Sequence, residues 1–94
     1  MRNLKEIVRR EAAACELDVQ TAWKVIERVL TRTSELEFDE DYTLKEICDP
    51  VFWSRYEYVG RRIGKFFSRM VCTGALPWRK SRLRSDNNQL YRRT

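Results

Sequence analysis

Apolar residues recur at helical spacing through three stretches of this chain, and the period is lost after Gly74. The 94 residues therefore divide into a long helical part and a tail of another kind. Leu4, Ile7, Val8, Ala12 and Cys15 make a first stripe, which predicts a helix over residues 3–15. Val19, Ala22, Trp23, Ile26, Val29 and Leu30 make a second, with Asp18 offering an N-cap oxygen before it. That helix is expected to run to about Leu36, with Thr33 on its apolar stripe. The short link at Leu17 makes the two an antiparallel or steeply crossed pair. Tyr56, Val59, Ile63, Phe66, Phe67 and Met70 make the third stripe, closed by Gly74 as a left-handed stop.

Local punctuation fills in the rest. Thr43 and Glu46 form a T-x-x-E capping box that starts a short helix burying Leu44, Ile47 and Cys48, with Tyr42 in a short strand before it. Asp49-Pro50 ends that helix, because the residue before a proline is pushed out of the α region. Ser54 and Glu57 form a second capping box, so residues 49–53 read as a turn and the long helix starts near Ser54. In a rival reading Asp49 is an N-cap and Pro50 sits at N1, which starts the helix four residues earlier. Gly60 and Gly64 lie on the flank of the long helix, at about 1 kcal/mol each relative to alanine. Close approach by another backbone or a ligand would justify them. Residues 76–84 and 89–93 read as the arms of a β-hairpin, joined by Ser85, Asp86, Asn87 and Asn88, which favour turns.

The charge follows the same division. Residues 1–49 hold 8 Lys and Arg against 12 Asp and Glu, and residues 50–94 hold 11 against 2. The overall +5 thus conceals an acidic half and a strongly basic one. The basic half interleaves its charges with Trp53, Tyr56, Phe66, Phe67, Trp78 and Tyr91, as a packed polyanion binder does. The acidic link at residues 35–41 either solvates a loop, competes for the basic half, or repels phosphate and orients docking.

These elements in order predict a mainly α, α+β fold in one domain, residues 1–94. A helical pair (residues 1–36) precedes a winged-helix or helix-turn-helix unit (residues 42–94) that ends in a β-hairpin wing. Both elements that would meet a nucleic acid, the recognition helix at residues 55–73 and the wing at residues 76–93, are the basic ones. The stretch from Tyr42 onward carries YTLKEI (42–47), Trp53, GRRIGKFF (60–67), Val71-Cys72-Thr73-Gly74 and NNQLYRR (87–93). In these motifs about half the chain resembles a family of small uncharacterised proteins common in bacteria, phages and mobile elements. The resemblance implies a helix-turn-helix or winged-helix-like fold rather than an activity, since the family's role is largely unassigned; a phage or mobile-element regulator is the expected setting.

The expected function is non-enzymatic binding of nucleic acid, duplex DNA in particular. Arg55, Arg62, Lys65 and Arg69 would face the major groove, about 12 Å wide, with Arg61 beside them as a further nucleic-acid contact. Arg79, Lys80, Arg82, Arg84, Arg92 and Arg93 would contact backbone or minor groove from the wing. The alternative is a phage-type protein that grips a host protein, as a defence-system inhibitor or transcription adaptor, with Trp53, Trp78 and Tyr91 as interface anchors, Trp53 being the one that also reads as core. Exposed Trp78 and Tyr91 would also suit a single strand by stacking. A homodimer through residues 1–36 is open. No histidine is present, Cys15, Cys48 and Cys72 lie far apart, and no Lys-Ser/Thr pair follows Gly64, so no metal, cofactor or catalytic site is expected. The cysteines read as small buried hydrophobes. With no apolar run near 18 residues and no signal-peptide pattern, a cytoplasmic location without a membrane partner is expected.

Overall fold

The computed structural model describes residues 3–94. Asn3 Oδ1 accepts from the Glu6 N–H at 2.9 Å, and α1 (Leu4–Ala14) grows from that cap. Glu16, at φ 54°, turns the chain: its own N–H reaches the Ala13 carbonyl and the Leu17 N–H the Ala12 carbonyl, a Schellman closure without glycine. Asp18 then caps α2 (Val19–Thr33), accepting from the Thr21 N–H at 3.1 Å. This helix stops three residues short of Leu36, with Ser34 as its C-cap.

After the acidic link comes β1 (Asp41–Tyr42), then α3 (Leu44–Cys48). The expected capping box is formed on both sides: Thr43 Oγ1 accepts from the Glu46 N–H at 3.2 Å, and Glu46 Oε1 from the Thr43 N–H at 2.9 Å. The next start is not at Ser54. Asp49 Oδ1 accepts from the Phe52 N–H at 2.9 Å and Pro50 occupies the first turn, so α4 covers Pro50–Tyr56. Ser54 falls inside that helix and its hydroxyl donates back to the Val51 carbonyl at 2.8 Å. A 3-10 turn (Glu57–Val59) follows, and only then α5 (Gly60–Thr73). The single long helix expected over residues 55–73 is therefore two helices with a bend between them. Trp53 packs across the bend: a Cβ on Gly60 would lie 3.3 Å from its indole, which explains that glycine. Gly74, at φ 79°, stops α5 as expected.

The hairpin consists of β2 (Trp78–Leu83) and β3 (Gln89–Arg93), closed by hydrogen bonds between Arg84 and the residues 87 and 88, with Asn87 at φ 68°. β1 pairs antiparallel with the far side of β3, so the three-stranded sheet runs β1-β3-β2. One hydrophobic cluster extends from Val8 on α1 through Ile26, Ile47, Ile63 and Phe66 to Tyr91 on β3. The protein is thus α+β, with the helical pair packed into the same core as the later elements.

Two corrections concern aromatics. Trp78 is 2% exposed, and its indole Nε1–H donates to Thr33 Oγ1 at 2.9 Å. Tyr91 is 3% exposed and meets the Phe67 ring edge-on at 4.6 Å. Neither is a surface anchor. Both point to the helical side of the sheet, where burying a large ring gains more than leaving it in water. Cysteine placement is mixed: Cys15 and Cys48 are buried, Cys72 is exposed.

Candidate nucleic-acid interface

The 3.6-residue period of α5 sends Ile63, Phe66, Phe67 and Met70 into the core. Arg61, Arg62, Lys65 and Arg69 are left on the exposed side. Arg61, Arg62 and Lys65 form no ion pair among the described residues. Arg69 is different. Its guanidinium meets Glu11 Oε1 with Nε at 3.0 Å and with a terminal nitrogen at 2.9 Å, and that terminal nitrogen lies 3.5 Å from Oε2. The Glu11 side chain is only 5% exposed, while that of Arg69 is 54% exposed. The arginine therefore neutralises a buried carboxylate first, and offers to solvent only what remains. Arg55 leaves the group altogether: it sits on α4 and borders a depression with Lys24, Glu27 and Arg28 of α2.

On the hairpin the cations divide sharply. Arg92 and Arg82 both donate to Asp41, at 3.0 and 3.3 Å. The Ser81 hydroxyl, then Arg92 and Arg82, hold the Asp41 carboxyl below the usual carboxylate range. Arg93 donates to the Leu36 carbonyl at 2.9 Å and lies 4.1 Å over the Phe38 ring. Arg84 pairs with Asp86 at 2.8 Å, and that hydrogen bond leads the causes that hold the Asp86 carboxyl low. Arg79 and Lys80 are exposed and have no ion pair among the described residues. The register explains part of this. Arg79 stands opposite Arg92 on β3, and Arg92 opposite Asp41 on β1, so one row across the sheet reads plus, plus, minus. The acidic link thus engages the basic half, through the pairing of Asp41 at its end with Arg82 and Arg92.

Of the eleven basic residues singled out from the sequence, the structure leaves Arg61, Arg62 and Lys65 on α5 and Arg79 and Lys80 on β2 exposed and without an ion pair among the described residues. Arg69, Arg82, Arg84, Arg92 and Arg93 are engaged within the protein, and Arg55 faces elsewhere. Lys45 was missed. It follows the Thr43 cap on α3 and borders the same concavity as Lys65 and Arg69. Its signal was its place in the first turn after a capping box, on the side away from Leu44, Ile47 and Cys48. No protein-family model, curated protein or solved structure matches the chain.

Proposed function

We propose that the protein binds duplex DNA in the manner of a winged helix, with α5 as the recognition helix and the β2 and β3 hairpin as the wing. The element order β1, α3, α4, α5, β2, β3, with the sheet order β1-β3-β2, supports this reading. The observation that carries it is the pattern of unpaired cations. Arg61, Arg62 and Lys65 line the outward face of α5, and Arg79 and Lys80 extend the field onto the strand that follows it. An exposed helix face bearing arginine suits a major groove, where a guanidinium reads guanine in bidentate fashion. Cations on the strand suit the adjacent phosphates, which position the protein without specifying sequence. The resemblance over residues 42–93 fits a regulator from a phage or mobile element. The reading as a host-protein binder loses Trp78 and Tyr91 to the core and keeps only the half-buried Trp53 of its three aromatic anchors, and the single-strand reading loses Trp78 and Tyr91 as platforms.

The test is fluorescence polarisation with a random-sequence duplex across a salt series. The logarithm of affinity should fall steeply with the logarithm of salt, at about 0.9 per phosphate contacted. Arg79→Ala should weaken all duplexes alike and reduce the slope by about 1. Arg61→Ala or Arg62→Ala should in addition relax any sequence preference. A salt-insensitive affinity that none of these substitutions changes would overturn the proposal.

A further inference from the structure

A cleft of about 840 Å³ opens between the flank of α5, the start of α3 and the end of the hairpin. Its volume is that of a small-molecule site, which typically spans about 300–1,000 Å³. Four cations border it, Lys45, Lys65, Arg69 and Arg84, and no aspartate or glutamate does. Lys45 and Lys65 form no ion pair among the described residues. Arg69 and Arg84 are paired with Glu11 and Asp86, so Lys45 and Lys65 supply the free positive charge that draws an anion into the concavity.

The rest of the lining narrows the anion. Trp53 and Leu44 supply apolar surface, and Ser68, Asn88 and Gln89 supply hydrogen-bonding groups. Gly64 stands in the wall. A Cβ there would meet nothing within 4 Å, in contrast to Gly60 beneath Trp53. The protein's own packing thus gives no reason for a glycine at this point of the helix, where it costs about 1 kcal/mol relative to alanine. Without a side chain the wall is open to a flat ring lying close to the backbone. Charge, an indole, polar side chains and an open wall together suit a ligand that combines a ring with a phosphate.

We infer that this cleft binds a nucleoside phosphate, held by Lys45 and Lys65 at its phosphate, with its base against Trp53 and the open wall at Gly64. The ligand is either a free nucleotide or an unpaired nucleotide at the end of a strand. This goes beyond the proposed duplex contact, which uses Arg61, Arg62, Arg79 and Lys80 outside the cleft and shares only Lys65 with it.

The experiment titrates the whole chain with the four ribonucleoside monophosphates, with adenosine and inorganic phosphate as controls, following tryptophan fluorescence and calorimetry. In parallel it compares blunt duplexes with duplexes carrying a one-nucleotide 5′ overhang. A nucleoside monophosphate that saturates the protein at least tenfold more tightly than either control identifies a free nucleotide. A tenfold preference for the overhang, without monophosphate binding, identifies a strand end. Either result must be lost in Lys45→Ala and in Gly64→Leu, which fills the cleft, and kept in Lys5→Ala, an exposed cation of α1 outside both surfaces. Lys45→Ala keeps the test decisive should Gly64→Leu disturb the helix. Neither response, phosphate binding as tightly as the nucleotides, or a response unchanged in both cleft variants would overturn the inference. Blunt-duplex affinity in the Arg61→Ala and Arg79→Ala proteins reports separately on the proposed function.

Discussion

The bond from Trp78 to Thr33 offers the sharpest test of how the hairpin is fixed to the helices. The indole N–H donates to Thr33 Oγ1 at 2.9 Å, and that hydroxyl donates in turn to the Val29 carbonyl at 2.7 Å. Both side chains are buried. Thr33→Val keeps the shape but leaves the indole N–H without an acceptor, at a cost of about 1–3 kcal/mol. Trp78→Phe removes the donor and leaves a void where part of the indole was, costing about 1–3 kcal/mol in transfer and cavity terms. In the double variant the void persists but no donor is stranded. Its destabilisation should therefore fall short of the sum of the single ones by about 1 kcal/mol or more. For a domain of this length each kcal/mol shifts Tm by roughly 4–8 °C. Urea unfolding followed by far-UV circular dichroism measures all four proteins. Strict additivity, or a neutral Thr33→Val, would refute the coupling. Loss of a binding activity with unchanged stability in Trp78→Phe would instead make this residue the surface anchor that its burial denies.

Three further outcomes are expected. Asp49 holds φ 76° and ψ 153°, a conformation suited to glycine, while its side chain caps α4 and pairs with Arg28. Asp49→Ala keeps the strain and loses the cap, so it should be less stable than Asp49→Gly by about 1 kcal/mol in denaturant titration. Native protein should react with a thiol reagent at one cysteine only, Cys72, since burial pushes the Cys48 thiol up to about 12 and raises that of Cys15. Reaction at all three before unfolding would show that the core is open. In acid, the carboxyls of Asp41 and Asp86, both lowered in the folded chain, contribute stability above the ordinary carboxylate range and lose it as pH falls through their lowered values. Asp41→Asn with Asp86→Asn should flatten the acid side of a Tm against pH curve, and an unchanged curve would refute that assignment.

Much of the helical part is legible in sequence because its determinants are local. The stripes at residues 4–15 and 19–30, the cap at Asp18 and the box at Thr43 and Glu46 each act within a few residues; both helices and both caps are found in place, while Val19 and Leu30 at the edges of the second stripe are exposed and Val25 is buried instead. The choice between Asp49 and Ser54 is not local. Both have capping chemistry, and the outcome involves α2: Arg28 pairs with Asp49 and donates to the Cys48 carbonyl, while Arg32 donates to the Ile47 carbonyl. Side chains twenty and fifteen residues upstream thus hold the end of α3 and the start of α4. Trp78 and Tyr91 misled for a similar reason. Imperfect alternation in the hairpin hides which face is inward until Thr33 and Phe67 are seen beside them. The candidate interface was visible as a charged region but not as a selection. Which cations are unpaired depends on Asp41, Glu11 and the Leu36 carbonyl, each more than 40 residues away in sequence from the arginines they engage.

The pair formed by Glu11 and Arg69 has a thermodynamic consequence for any anion at the cleft. A phosphate that draws the guanidinium toward itself leaves a buried carboxylate with only the longer contact to Arg10, at 3.8 Å, and a buried charge that loses its nearer partner is disfavoured. Occupancy and the seating of α1 on α5 are then opposed at this one arginine, so each weakens the other by the same factor. Anions that spare Arg69 escape that opposition, and the geometry discriminates between ligands by where they place their charge. Amide exchange along α1 would register the difference, rising only for ligands that reach the arginine.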